Sequence, residues 1–106
     1  MTVHELAGLP QLTTAVLEED RPVSKVFCCD MLSIAMAKAP SDSVWVTVMG
    51  NRNVIAVATL ADVSCVVLAE GFSYDAEALE AAEGRVTLLK CQLPVFETAS
   101  LIHQEL

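Results

Sequence analysis

The chain has 106 residues, one domain's worth, and its 14 acidic against 6 basic residues give a net charge of −8. The bases Arg21, Lys25, Lys38, Arg52, Arg85 and Lys90 are scattered rather than clustered, which excludes a polyanion-binding surface, so no nucleic acid and no anionic membrane is expected as a partner. No apolar run reaches the roughly 18 residues of a membrane helix, and Met1 to Leu6 has neither the basic start nor the apolar middle of a secretory leader, so the expectation is a cytoplasmic protein.

Thr2 followed by Glu5 is a capping-box signature for a short first helix that ends near Gly8. Pro10 turns the chain into an extended run, Leu12 to Leu17, and Glu18-Glu19-Asp20-Arg21-Pro22 reads as a loop. Val23 to Cys29 reads as a strand. Asp30 is then a suitable N-cap for a helix carrying Leu32, Ala35, Met36 and Ala39 on one stripe, which Pro40 stops. Val44 to Val48 is a strand, Gly50-Asn51-Arg52-Asn53 a tight turn, and Val54, Val57, Ala58 and Ala61 repeat the helical stripe. Cys65 to Ala69 is a strand ending at Glu70-Gly71, and Asp75 caps a helix with Ala78, Leu79 and Ala82 that Gly84 terminates. Val86 to Cys91 is the last strand. Pro94 opens a final helix with Val95, Ala99, Ile102 and Leu106 on one face.

Helix and strand alternate from Asp30 onward, which implies an α/β fold: one domain over residues 1–106, with a mainly parallel sheet flanked by helices. Hydrophobic residues make up 54% of the chain but aromatic ones only 5%, which suits strands buried on both faces by small aliphatic side chains. The apolar content also exceeds what one small core hides, and Trp45 with Met31, Met36 and Met49 is a candidate core or interface set, so a homodimer is expected. Cys28, Cys29, Cys65 and Cys91 contain no C-x-x-C pair and read as core residues. His4 and His103, near opposite ends of the chain, read as surface residues. No Walker loop, G-x-G-x-x-G or H-E-x-x-H is present, so the expectation is a non-enzymatic domain without metal or cofactor.

Asp20-Arg21, Cys29-Asp30-Met31-Leu32-Ser33, Asp42 to Val48, Asn53 to Ala58, Asp62 and Glu70-Gly71 resemble, in order and spacing, the successive blocks of the DRTGG domain. The resemblance covers nearly the whole chain. It implies a fold similar to the N-terminal domain of HPr kinase/phosphorylase and a regulatory or interaction role, often dimeric, with no catalytic residues. It also implies a possible accessory role beside a larger metabolic or redox enzyme. Pro22-Val23-Ser24-Lys25 stands where the family motif has a threonine and paired glycines, so this loop lacks the residues that let backbone approach a phosphate closely.

In open α/β sheets, ligands bind beyond the carboxyl ends of the strands. The residues that follow the three central strands there are Asn51, Arg52 and Asn53, then Glu70, Phe72, Ser73 and Tyr74, then Gln92. Arg52 is the candidate phosphate clamp and Glu70 a candidate partner for a ligand hydroxyl. Two roles are therefore expected: a regulatory module acting through protein contacts, or a sensor of a nucleotide or other phosphate held by Asn51, Arg52, Asn53, Glu70 and Gln92. The plainer reading of Asn51-Arg52-Asn53 is a solvated turn and helix cap.

Overall fold

A run of Val and Leu with no polar alternation stays in place only if both of its faces are covered. The computed structural model, which describes residues 1–106, covers them with helices on either side of one sheet. The elements in chain order are α1 (Val3–Ala7), β1 (Leu12–Val16), β2 (Lys25–Cys28), α2 (Leu32–Lys38), β3 (Ser43–Thr47), α3 (Arg52–Ala61), β4 (Cys65–Leu68), α4 (Ala76–Ala82), β5 (Thr87–Cys91) and α5 (Val95–Gln104). The sheet order is β1-β5-β4-β3-β2. The expected parallel arrangement holds for β2 to β5, while β1 joins β5 antiparallel with an irregularity between Thr14 and Val16.

Because β2 to β5 step across the sheet in one direction, crossovers of one hand place α2, α3 and α4 on the same face. Trp45, Val66, Leu68 and Leu88 meet Ala35, Val54, Ile55, Val57, Ala58, Ala78 and Ala82 there. The opposite face carries Val44, Val46, Cys65, Val67, Leu89 and Cys91 against Val3, Leu6 and Ile102 of α1 and α5. Each fully buried Val or Leu contributes about 1.5–3 kcal/mol before conformational entropy is counted. The core therefore lies in two sheets of contact, one on each side of β3, β4 and β5.

The local signals act as their chemistry requires. Thr2 and Glu5 form the reciprocal capping box of α1, and Asn51 caps α3 by accepting from Asn53 N at 3.0 Å and Val54 N at 3.3 Å. Asp75 Oδ1 accepts from Ala78 N at 2.8 Å at the start of α4, and Gly84 turns the chain out of that helix with φ +75°.

Three expectations need correction here. Asp30 does not cap α2: Met31 holds that position with no side-chain bond, and Asp30 Oδ1 instead accepts from Thr47 Oγ1 at 2.8 Å and Val48 N at 2.9 Å. Tertiary partners at the end of β3 win over the local cap. Met36 lies outside the buried stripe of α2 and is 54% exposed, because that seven-residue helix packs only a narrow face on α3 and the sheet. Of the two roles read for Trp45, the core one holds: it is wholly buried, its Nε1 donating to Cys29 O at 2.9 Å. Leu106 falls beyond α5 and is exposed, leaving Ile102 as that helix's buried anchor.

Candidate functional site

Four parallel strands send their following loops to one edge of the sheet. After β3, Gly50 is pressed against the next loop: a Cβ there would sit 2.9 Å from Ser73 O, and Gly50 O accepts from Asp75 N at 2.9 Å. After β4, Glu70 and Gly71 both take the left-handed conformation, with φ +64° and +74°. That turn folds onto the segment after β5: Glu70 N donates to Leu93 O, Gly71 N to Cys91 O, and Glu70 Oε2 accepts from Val95 N at 2.9 Å. A Cβ on Gly71 would lie 2.7 Å from Gln92 Oε1, so a side chain there displaces the Gln92 carboxamide, and the positive φ favours glycine in any case.

The edge thus brings Glu70 and Gln92 together, and it stands where the connection after β4 leaves for one face of the sheet and that after β5 for the other. Arg52 is turned differently. Its Nη1 lies 3.3 Å from Glu77 Oε2 on α4, both side chains being 70% exposed, in a charged cleft with Glu80, Glu83 and Arg85. Asn51 spends its carboxamide oxygen on the α3 cap, and Asn53 is exposed one residue into the helix. Of the aromatic residues after β4, Phe72 is exposed while Tyr74 is buried, its hydroxyl 2.9 Å from Leu89 O and 3.2 Å from Val66 O. Burial pushes the Tyr74 phenol well above its ordinary range, so it stays a neutral structural donor.

The Asp20-Arg21 pair occupies the opposite edge, at the amino ends of the parallel strands. Asp20 Oδ1 accepts from His4 N at 2.9 Å in the first turn of α1, and that backbone bond lowers the Asp20 pKa. Arg21 Nη1 donates to Val63 O at 3.0 Å, and Nη2 donates to Asp62 O at 3.1 Å and Asp42 Oδ1 at 2.9 Å, with Asp62 Oδ1 3.1 Å from Nη1. Asp42 and Asp62 both adopt positive φ, 61° and 60°, immediately before β3 and near the start of β4. The guanidinium therefore fastens two strained turns. Sequence reasoning did not foresee this clamp; its one signal was an Asp standing just ahead of each of two strands.

The cysteines divide by position. Cys65 and Cys91 are buried, and burial pushes the Cys65 thiol up to about 12. Cys28 is exposed and Cys29 partly so, which corrects the expectation of four core residues. Being adjacent in an extended segment, they face opposite ways: Cys29 packs with Trp45 and α2, while Cys28 lines a cleft with Val26, Phe96, Ala99, Ser100 and His103 beside α5. No group of three or more His, Cys, Asp or Glu residues is placed to hold a metal ion.

No curated protein matches the chain. A family model described as the DRTGG domain, a regulatory-type domain, matches residues 11–105. The match runs from the turn before β1 through α5 and includes both sheet edges, the Arg21 clamp and the Glu70-Gly71 turn. The chain belongs to the DRTGG domain family.

Proposed function

We propose that this domain is a non-catalytic regulatory module that works by protein contact, as a homodimer and as an accessory to a larger metabolic or redox enzyme. The observation that carries this reading is the margin of the sheet at β2. That strand has no partner on its outer side, and beside it Val26, Cys28 and Ala99 line an apolar cleft next to Phe96, which is 76% exposed. Met31, Ile34 and Met36 of the α2 region add further exposed apolar surface. An unpaired strand flanked by apolar side chains is a template for a second chain. Light scattering across a concentration series tests it: the expected mass is twice the 11.4 kDa of one chain. A single-chain mass at all concentrations removes the homodimer.

The shared edge beyond β3, β4 and β5 favours a second reading, a sensor of a nucleotide or other phosphate bearing on Arg52 with Asn51, Asn53, Glu70 and Gln92. The Arg52–Glu77 pair is exposed and therefore weak, so an incoming phosphate competes for the guanidinium at little cost. A thermal-shift panel of adenine and guanine nucleotides tests this reading, since a ligand at 100 times its Kd stabilises by about 2.7 kcal/mol. A panel with no shift rejects it, and Arg52→Ala should abolish any shift seen. Neither reading involves bond-breaking by the isolated chain, and turnover of any substrate by it would contradict both.

A further inference from the structure

Lys90 stands apart from the other bases. Arg21 pairs with Asp42 and Asp62, and Arg52 with Glu77. Lys25, Lys38 and Arg85 are exposed to water. Lys90 alone is both half-buried and without a carboxylate within 4.0 Å, in a chain with 14 acidic residues. Its ammonium donates to Ser73 Oγ at 3.1 Å, leaving donors to spare, since an ammonium carries about three. Thr13 lies directly opposite Lys90 in the β1–β5 register, so the two side chains leave the same face of the sheet. Together they line a cleft of about 320 Å³ whose other walls include Ala15, Tyr74 and Leu79. The Tyr74 hydroxyl is taken up by the carbonyls of Val66 and Leu89, so Tyr74 offers the cleft no free donor.

An ammonium with no carboxylate partner and donors to spare, on a half-buried lysine beside the hydroxyls of Thr13 and Ser73 and an apolar wall, is the chemistry of a site for a small anion. We propose that this cleft binds an oxyanion on a short apolar stem, the oxyanion taken by Lys90, Ser73 and Thr13 and the stem lying on Leu79 and Ala15. The cleft shares Ser73 with the carboxyl edge of the sheet but contains none of Arg52, Glu70 and Gln92, and it does not depend on either reading of the domain's role. An alkyl phosphate and an alkyl carboxylate share this chemistry and are separated by the test. Isotope-labelled full-length chain is titrated by NMR with inorganic phosphate, propyl phosphate and butyrate in turn. The expected result is saturable movement of the Thr13, Ser73 and Lys90 amides, the tighter of propyl phosphate and butyrate naming the headgroup. Lys90→Gln should weaken that binding at least about tenfold, as loss of a charge-assisted hydrogen bond requires. Lys38→Gln, an equal change of net charge at an exposed site, should leave it unaltered. If Lys90→Gln fails to fold, Ser73→Ala in the loop before α4 should weaken binding several-fold. Linear, non-saturating shifts, saturation at other residues, or equal affinity in a folded Lys90→Gln chain would each overturn the proposal.

Discussion

Removing the Arg21 guanidinium tests whether the family's Asp-Arg pair is a structural clamp in this chain. The side chain is 21% exposed and reaches two backbone carbonyls and two carboxylates. The carbonyl of Val63, a residue 1% exposed, is the costliest to strand, and a bond from a charged donor to such a group contributes about 1.5–3 kcal/mol. The partners Asp42 and Asp62 are 43% and 66% exposed, so their ion pairs add at most about 1 kcal/mol each. Loss of the clamp also frees two acidic turns held at positive φ. Arg21→Ala should therefore lower the unfolding free energy by about 3 kcal/mol, and for a domain of this size the Tm by more than about 10 °C. Arg21→Lys should recover only part of this, because one ammonium does not reproduce the in-plane fork by which Nη1 reaches Val63 O while Nη2 reaches Asp62 O. Urea unfolding followed by Trp45 fluorescence measures it, Trp45 being the single tryptophan and wholly buried. A change in Arg21→Ala below about 0.5 kcal/mol, the level of an ordinary surface substitution, would refute the clamp.

Other expectations follow from single contacts. Gly71→Ala and Gly84→Ala both place a side chain at positive φ, but only the former meets an atom, Gln92 Oε1 at 2.7 Å. Both should destabilise by about 1 kcal/mol from the backbone, Gly71→Ala should cost more, and Gln92→Ala should erase the difference in equilibrium unfolding. Trp45→Phe strands Cys29 O and should cost about 1–3 kcal/mol; because it also removes the fluorescent probe, urea unfolding is followed by circular dichroism, and a neutral outcome would show that the bond carries nothing. The Cys65 pKa is raised from 9.0 to about 12 in the folded chain. The folded state therefore holds this proton where the unfolded state releases it, and stability should be full below pH 9 and fall progressively as pH rises toward 12. A urea midpoint unchanged across that alkaline range would contradict this burial. Asp20 has the opposite sign: its lowered pKa adds stability above the ordinary value of 3.8 that is lost as pH falls through the lower folded value, and Asp20→Asn should flatten that acid limb.

Elements governed by neighbours in sequence were legible. Asn51 before the Val54, Val57, Ala58 stripe, and Asp75 before Ala78 and Ala82, cap and orient α3 and α4 as their patterns require. The parallel order of β2 to β5 was legible too, because only crossover helices separate those strands. Decisions made across long sequence separations were not. Asp30 carries the signature of a helix cap, yet its bonds go to Thr47 and Val48, which reach it only when β2 and β3 pair. Arg21 finds Asp42 and Val63 at separations of 21 and 42 residues, and nothing in the polar loop around it announces that. The place of β1 beside β5 has the same origin. At the candidate site, the carboxyl ends of the expected parallel strands put Asn51, Arg52, Glu70 and Gln92 on one edge, but the direction of Arg52 depends on Glu77, a residue on a helix whose distance from α3 no local pattern encodes. Lys90 stayed unremarked because a lone lysine in a strand has no sequence signature; its isolation from carboxylates is a property of the folded chain alone.

The claim that self-association through the β2 margin underlies this domain's role is tested most directly by sedimentation equilibrium of the native chain and of Phe96→Asp. Phe96 is 76% exposed and packs in neither core, so the substitution leaves the fold intact while placing a charge beside the apolar cleft. The expected result is a two-chain mass for the native protein and a one-chain mass for the variant. A native chain that sediments as a monomer, or a variant that still dimerises with the same affinity, would contradict the account.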